Sequence, residues 1–365
     1  MVIDRFSGFK HLFLIEKPIK IDFKDKYYSL PYMNLLRKFL FPFAFLYGII
    51  VWFRNKFFDA GILKSTSYDF PVVCVGNLSA GGTGKSPMIE YLLRKLSYEN
   101  IAVLSRGYKR STEGFLLLKG TEEAIETGDE PLQFKTKFPK AMIAVDADRR
   151  NGIAELRKQN AEIVLLDDAF QHRKVKAGFN ILLTAYGDLY SNDFLLPTGN
   201  LRETYSGADR AQVIIVTKCP ANITLKEREH IRFKLQIKQY QDLYFSTIKY
   251  ADVISNGKEE FSLTQLGNNY TVVTGIAKPE PFIQYLKAEN VDFEHQNFPD
   301  HHNFTAAEID VLNTKPCILT TEKDFMRLKD KISVPLYYLP IETAFVENEA
   351  HFLDRLNSFI TEFKK

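Results

Sequence analysis

The sequence predicts an α/β fold built on a doubly wound, mainly parallel sheet, with a second, smaller α/β domain and an N-terminal membrane-interface helix. Three observations lead to this prediction. A glycine-rich loop joins an apolar strand pattern to an amphipathic helix pattern within residues 72–96. Strand and helix patterns then alternate, which is typical of a parallel sheet covered by helices on both faces. Residues 39–53 form a continuous apolar run.

The N-terminal region divides at Met33. Residues 1–32 have no clear periodicity and no secretory signal pattern, so we treat them as an uncertain leader and Met33 as a possible start. The apolar run at 39–53 is shorter than the roughly 20 residues that a membrane-spanning helix needs, and basic residues flank it on both sides. We therefore predict a membrane-associated helix over residues 33–60 that lies in the interface. A buried core helix is the alternative.

The glycine-rich loop has the composition of a phosphate-binding loop. Glycines let backbone N–H groups converge on phosphate oxygens, and the N-terminus of the following helix adds partial positive charge. A lysine at this position reaches the β- and γ-phosphates, and the serine hydroxyl after it can bind Mg²⁺. A turn that binds nothing is the alternative, and a serine replaces the first glycine of the usual pattern. We predict a P-loop NTPase-type triphosphate site formed by Ser79, Ala80, Gly81, Gly82, Thr83, Gly84, Lys85 and Ser86.

Residues 61–225 are predicted to form the P-loop core, with strand patterns at 101–107, 142–145, 163–168, 179–184 and 213–218. Asp167 and Asp168 end one of these strands, where the carboxyl ends of parallel strands face a ligand crevice. Since this position supplies a metal-binding carboxylate in P-loop enzymes, we predict that Asp168, Asp167 and Ser86 hold Mg²⁺. Helix capping is the alternative. The strand that ends at residue 218 is followed by Pro220, where guanine-specific proteins have a carboxylate, which argues against a guanine switch.

Residues 226–365 are predicted to form the smaller domain. A charged helix pattern at 226–239 marks the boundary, and further strand and helix patterns follow it. This part of the chain contains polar motifs at 298–302 and 320–324. We therefore expect the two domains to close over a substrate.

Composition places the chain among ordinary globular proteins. It has 365 residues, of which 45% are hydrophobic and 25% are charged, and its length favours two domains. The net charge of +3 is too small to indicate a nucleic-acid partner. Cys74, Cys219 and Cys317 lack the spacing of a zinc site, so we predict free thiols in a reducing compartment.

Seven motifs occur in order, at residues 81–87, 104–108, 128–131, 167–173, 197–203, 298–302 and 320–324. Together they resemble the tetraacyldisaccharide 4'-kinase family, the lipid A 4'-kinases of Gram-negative bacteria. The resemblance runs from about Met33 to near the C-terminus. It implies phosphoryl transfer from ATP, with Mg²⁺, to the 4'-hydroxyl of a lipid disaccharide 1-phosphate, which forms lipid IV-A in lipopolysaccharide biosynthesis. It also implies a peripheral or monotopic position on the membrane surface, at the cytoplasmic face of the bacterial inner membrane.

The resemblance further implies roles for individual residues. Asp129 is implied to be the catalytic base, with His301 as its partner, while Lys85 acts on the phosphates. A carboxylate is a usual acceptor for a hydroxyl proton, and an imidazole can orient it. Matching positions implied to hold the sugar phosphate or the nucleotide are Arg106, Tyr108, Arg149, Gln171, His172, Asn200, Arg202 and Glu203.

Two other functions remain open from the sequence. One is a P-loop nucleotide-hydrolysing switch or chaperone, in which hydrolysis drives partner binding. The other is a kinase for a soluble sugar or cofactor, which would leave the apolar run at 39–53 without a purpose except as core.

Overall fold

The structure, a computed structural model, describes residues 37–263, 270–300 and 302–364. Its strands are β1 (Val72–Asn77), β2 (Ile101–Ser105), β3 (Leu116–Leu117), β4 (Met142–Val145), β5 (Ile163–Asp167), β6 (Phe179–Ala185), β7 (Val213–Thr217), β8 (Asp242–Tyr250), β9 (Val253–Ser255), β10 (Glu260–Ser262), β11 (Tyr270–Thr274), β12 (Phe293–Asn297), β13 (Ile318–Thr320), β14 (Leu336–Tyr338) and β15 (Ile341–Phe345). Its α-helices are α1 (Phe41–Asp59), α2 (Lys85–Lys95), α3 (Ala124–Thr127), α4 (Asp129–Lys137), α5 (Arg149–Lys158), α6 (Leu225–Leu235), α7 (Glu280–Ala288), α8 (Ala306–Leu312), α9 (Glu322–Leu328) and α10 (Glu349–Thr361).

The first sheet has nine strands in the order β15-β8-β7-β6-β1-β5-β2-β4-β3. The seven strands from β8 to β4 pair in parallel, whereas β15 and β3 are antiparallel at the two edges. Strand β1 lies centrally, and Val75 is in register with Asp167 of β5. The carboxylates at the end of β5 therefore lie beside the start of the loop that leaves β1.

Alternating side chains of β1 enter two separate cores. Val72 and Cys74 pack in the cluster that includes α5 and α6. Val73 and Val75 pack in the cluster that includes α2 and α10. Because helices cover both faces, every residue of β1 is buried, as expected for a central parallel strand. The predicted doubly wound α/β fold is confirmed.

The second sheet has six strands in the order β10-β9-β14-β13-β11-β12. Strands β14, β13, β11 and β12 pair in parallel, whereas β9 pairs in antiparallel fashion with both of its neighbours, β14 and β10. Strand β8, strand β15 and helix α10 belong to the first sheet or its core, although they lie within residues 226–365. The second sheet therefore begins later in the chain than the predicted boundary, and the chain returns to the first sheet after β14.

Helix α1 is attached to the core by polar side chains. Tyr47 Oη donates to the carbonyl of Arg202 at 2.7 Å, and Arg54 Nη2 donates to the carbonyl of Gln171 at 2.7 Å. Ala44 and Val51 are its buried residues. None of the helices in the described ranges combines the length and hydropathy that crossing a membrane requires.

The remaining apolar side chains of α1 are largely exposed, which is the reverse of a core helix. This exposed apolar surface of α1 consists of Phe41, Phe43, Phe45, Leu46, Ile49, Ile50, Trp52, Phe53 and Phe57. Soluble monomers seldom expose so many large apolar groups on one helix, and a contiguous exposed apolar patch usually marks an interaction site. The alternative of a buried core helix is therefore wrong. Residues 1–32 and Met33 lie outside the described residues, so the leader and the start stay predictions.

Candidate active site

The phosphate loop joins β1 to α2, as predicted from the strand–loop–helix order. Gly84 adopts φ 86°, a left-handed conformation that glycine tolerates, immediately before α2 begins at Lys85. Asn77 Nδ2 donates to the carbonyl of Ser79 at 2.7 Å, inside the loop. Ala80 N–H donates to the carbonyl of Asn200 at 2.6 Å. The loop is thus held from within and from the segment at residues 197–203.

Lys85 is the first residue of α2, immediately after this loop. Its Nζ is 3.2 Å from Asn77 Oδ1 and 3.7 Å from Asp168 Oδ1. The Ser86 hydroxyl next to it donates to Glu130 Oε1 at 2.6 Å. This contact brings the start of α4 against the phosphate loop.

Three carboxylates, those of Glu130, Asp167 and Asp168, meet at this point. Burial, together with the negative charges of Glu130 and Asp168, raises the pKa of Asp167 to about 7. Asp167 Oδ2 accepts a hydrogen bond from Ser105 at 2.9 Å, while its Oδ1 is buried without a hydrogen-bond partner in the described part of the chain. A buried carboxylate oxygen of this kind is suited to a cation or to a water bound to one.

The neighbouring carboxylates are held ionised by cations. Burial opposes ionisation of Asp168, but Lys85 and Arg202 outweigh it and hold its pKa below the usual value. Arg202 binds both carboxylate oxygens of Asp168, at 2.7 and 3.1 Å. Burial likewise opposes ionisation of Glu130, but Lys323, Ser86 and Lys85 lower its pKa overall.

Among the described residues, no group of three or more His, Cys, Asp or Glu side chains forms a ready-made metal cage.

Asp129 is the first residue of α4 and contacts the second sheet's helix α9. Arg327 donates to Asp129 Oδ2 through Nε at 3.1 Å and through Nη2 at 3.0 Å. Arg327 is itself anchored by the buried Asp324, 3.1 Å away. Lys323 of the same helix lies 3.2 Å from Glu130. His301 lies outside the described residues; the next residue, His302, contacts Glu308 at 2.9 Å.

A buried charged cluster lies behind these residues and joins three helices. Lys137 of α4 is 2.6 Å from Glu90 of α2 and 2.7 Å from Glu322 of α9. Burial and the charge of Glu90 raise the pKa of Glu322 to about 7. These ion pairs therefore connect α2, α4 and α9, the helices that contain Lys85, Asp129 and Lys323.

The predicted substrate-binding residues separate into two groups. Arg106 and Tyr108 follow β2 and are exposed, Tyr108 by 74%. Arg149 is 2% exposed and donates to the carbonyl of Asp146 at 2.7 Å. Arg106 and Tyr108 are thus free to meet a ligand directly, whereas Arg149 is buried next to Asp167.

The second group lies between α1 and the phosphate loop. Gln171 donates to the carbonyl of Asn77 at 2.8 Å and to the buried Glu203 at 3.0 Å. Glu203 also pairs with Arg210 at 2.7 Å and accepts from Asn55 of α1 at 3.1 Å. These contacts link α1 to Asn77, at the start of the phosphate loop.

Two further residues in this region have distinct surroundings. Burial, helped by Arg149, lowers the pKa of His172 to about 4, so it is neutral at physiological pH. Asn200 Oδ1 accepts from Arg37 at 3.0 Å. Asn200 therefore connects the beginning of the described chain with the phosphate loop.

Sequence reasoning missed several residues that complete the site. Glu130 was part of the motif at 128–131, yet only its neighbour was assigned a role, and Lys323 belonged to the motif at 320–324. Arg327 and Asn77 lie just outside motifs. The signal that could have found Glu130 and Lys323 was the presence of charged residues at unassigned motif positions.

Comparison with known proteins gives consistent matches. The family model for tetraacyldisaccharide-1-P 4'-kinase, LpxK, matches residues 36–361. The chain is 52% identical over 338 residues to a tetraacyldisaccharide 4'-kinase of Flavobacterium johnsoniae, a match that covers 90% of this chain and 99% of that protein. It is 42% identical over 355 residues to a tetraacyldisaccharide 4'-kinase of Phocaeicola vulgatus, covering 90% and 96%.

A solved structure agrees with these matches. The crystal structure of the "apo" form of LpxK from Aquifex aeolicus in complex with ATP is similar, with a TM-score of 0.73 and 30% identity. The match covers 89% of this chain and 99% of that one. The resemblance deduced from the seven motifs is confirmed.

Proposed function

The chain belongs to the tetraacyldisaccharide 4'-kinase family, and we propose that the site around the phosphate loop carries out the reaction that this name describes. The γ-phosphoryl group of ATP is transferred to the 4'-hydroxyl of a tetraacyldisaccharide 1-phosphate, which gives lipid IV-A in lipid A biosynthesis. The observation that supports this assignment best is the 2.6 Å contact between Ser86 and Glu130. It supports a role for the adjacent residue, Asp129, because it brings the start of α4 to the first turn of α2, directly after the phosphate loop.

The phosphate loop and Lys85 bind the triphosphate. Backbone N–H groups of the loop and the N-terminus of α2 supply donors and partial positive charge. Lys85 contacts Asn77 and Asp168 in this structure. With nucleotide bound, its ammonium group contacts the β- and γ-phosphates. Phosphoryl transfer depends chiefly on such positioning and charge neutralisation.

Mg²⁺ would be held by Ser86, Asp168 and Asp167, with Glu130 as a neighbouring acceptor. The buried Asp167 Oδ1 without a hydrogen-bond partner in the described chain supports this fit. When bound, the ion would supply positive charge that stabilises the negative charge developing on the transferred phosphoryl group. The Ser86 hydroxyl is already directed at this group of carboxylates.

Asp129 accepts the proton of the 4'-hydroxyl. The Arg327 contacts fix Oδ2 at 3.0 and 3.1 Å, which leaves Oδ1 for the substrate. A positioned base of this kind contributes about 10²- to 10⁴-fold to rate. His301 is proposed as its partner from the family motif.

The sugar phosphate binds near the ends of β2 and β5. Exposed Arg106 and Tyr108 are the residues that supply the direct contacts, since arginine donors match phosphate geometry. Arg202 and Asn200 hold the loop, and Glu203 and Gln171 hold α1. Arg149 and His172 border the buried side of Asp167 and Asp168.

The exposed apolar surface of α1 lies in the membrane, at the cytoplasmic face of the bacterial inner membrane. Lys38 and Lys56 lie near its two ends and suit anionic lipid. The polar contacts of α1 with Arg202, Gln171 and Glu203 support this proposal, because they attach the helix to the segments next to the phosphate loop. A lipid substrate would thereby reach the site without leaving the interface.

The test is transfer of labelled γ-phosphate from ATP to tetraacyldisaccharide 1-phosphate in detergent, with wild type beside Asp129→Asn. We expect wild-type transfer and a loss of about two orders of magnitude or more in the variant. ATP hydrolysis without acceptor phosphorylation would overturn the function. Equal transfer by the variant would overturn the assignment of Asp129 alone.

A further inference from the structure

The end of β7 contacts the phosphate loop through two consecutive side chains. Thr217 Oγ1 donates to the carbonyl of Thr83 at 2.7 Å, and Lys218 Nζ donates to the carbonyl of Gly82 at 2.6 Å. These residues are the Thr-Lys pair whose guanine-reading carboxylate is replaced by Pro220. The pair thus has a structural relation to the loop even though the base-reading residue is missing.

Thr217 constrains the orientation of a peptide unit in the loop. The C=O and N–H groups of a trans peptide point in opposite directions. Tying the Thr83 carbonyl to Thr217 therefore turns the Gly84 N–H away from β7. Thr217 is buried, and a Cβ added to Gly84 would meet it at 3.7 Å. The hydroxyl thereby helps to fix a donor at the N-terminus of α2, where anions bind.

Lys218 has an unusual backbone and a crowded electrostatic environment. Its φ of 58° lies in the left-handed region that a residue with a side chain seldom adopts, and such strain is found preferentially at functional sites. Lys218 is exposed to solvent, but desolvation by the surrounding chain, together with the positive charges of Lys278, Lys323 and Lys85, lowers its pKa. Lys278 is paired with Asp188 at 2.8 Å. Lys218, Lys85 and Lys323 of α9 therefore concentrate positive charge near the phosphate loop, an arrangement that a polyanion would stabilise.

We propose that Lys218 is a further nucleotide-binding residue, whose ammonium group contacts both the loop and the triphosphate, and that Thr217 is a positioning residue for the loop. An ammonium group has three N–H donors, so the contact with Gly82 leaves two for phosphate oxygens. This proposal rests on the proposed function, since it takes ATP as the ligand. It assigns the Thr-Lys segment to phosphate binding instead of base recognition.

The first experiment compares Lys218→Met with Lys218→Arg in the full chain. Binding of the β,γ-methylene analogue of ATP with Mg²⁺ is measured by calorimetry, and KM for ATP and kcat are measured with the lipid acceptor. We expect Lys218→Met to weaken analogue binding and raise KM roughly 10- to 50-fold, as for a charge-assisted hydrogen bond, with kcat within about threefold because Lys218 acts on binding. Lys218→Arg should retain binding within about threefold, since it keeps the charge.

Lys158→Met is the matched control, because Lys158 is an exposed lysine of α5 that pairs with Glu155 one helical turn away. It should bind the analogue as wild type does. Wild-type binding by Lys218→Met would overturn the role of Lys218 while leaving the kinase function intact. Absence of analogue binding and of transfer in the wild type would instead overturn the proposed function, and this inference with it.

The second experiment compares Thr217→Val with Thr217→Ser. Valine keeps the shape and removes the donor, so we expect analogue binding to weaken about 5- to 10-fold, the effect of one hydrogen bond. Serine should restore binding to within about twofold for the same reason. Thermal unfolding without nucleotide separates a folding defect from a binding defect. A fall in the unfolding temperature with unchanged affinity would show that Thr217 is merely structural and would overturn its role.

Discussion

Replacing Leu46 and Ile50 by serine should release the protein from membranes while leaving its fold intact. The two side chains are 57% and 59% exposed and lie one helical turn apart on the exposed apolar surface of α1. They point away from Ala44 and Val51, the buried residues of this helix. The substitutions therefore remove lipid contacts without touching the polar contacts that attach α1 to the core.

The expected size of the effect follows from the exposed area. Burying a leucine or isoleucine completely is worth about 1.5–3 kcal/mol, and somewhat more than half of each side chain is available to lipid. Each substitution should therefore cost roughly 1–1.7 kcal/mol of membrane affinity, and the pair about 2–3.5 kcal/mol. Because 1.4 kcal/mol corresponds to a tenfold change, vesicle binding should weaken about 30- to 300-fold.

The assay is cosedimentation with vesicles that contain anionic phospholipid, at physiological ionic strength. Phe233→Ser is the control, because Phe233 is 82% exposed but lies on α6, far along the chain from α1. It should leave vesicle binding unchanged, and both variants should unfold at nearly the wild-type temperature. Equal vesicle binding by wild type and the α1 variant, or an equal loss in the Phe233 variant, would refute a membrane role for this particular surface.

Three further predictions concern the charged groups of the site. Arg327→Met should lower kcat about 10- to 100-fold, with KM for ATP nearly unchanged, because the Asp129 carboxylate loses the group that positions it. Arg327→Lys should recover part of this loss. A change in KM without a change in kcat, measured by steady-state kinetics, would contradict the prediction. Folding raises the pKa of Glu322 to about 7, so the stability that its carboxyl contributes is complete below its ordinary pKa of about 4.5 and is lost as pH rises through about 7. Glu322→Gln should therefore gain stability relative to wild type between about pH 5 and 8, by at most about 3 kcal/mol, and parallel denaturant-unfolding profiles for the two proteins over this range would count against it. Glu203→Ala should lower the free energy of unfolding by about 3–5 kcal/mol, because Arg210 would remain partly buried without its partner; a change below about 1 kcal/mol would mean that Arg210 finds another acceptor.

Strong local patterns made most of the first sheet predictable. The strand at 142–145 matches its predicted bounds, because its continuous apolar run is ended sharply by Asp146. Strand β12 (Phe293–Asn297) was missed because it is a largely polar edge strand. Residues 128–131 contain glycine and proline, a composition typical of a turn. In the structure they begin α4, since proline is tolerated in the first turn of a helix.

The active site could be predicted only where its members share a motif. Ser86 meets Glu130 across 44 residues of chain, and Lys323 and Arg327 reach the start of α4 across 193 and 198. No local period encodes such contacts, because they depend on how two sheets and their helices pack. These contacts also account for the charged residues of the motif at 320–324. Glu322 forms an ion pair with Lys137, and Lys323 forms one with Glu130. Helix α9 therefore contacts the start of α4, and through it Ser86, so side chains that follow the second sheet reach the end of the phosphate loop that belongs to the first.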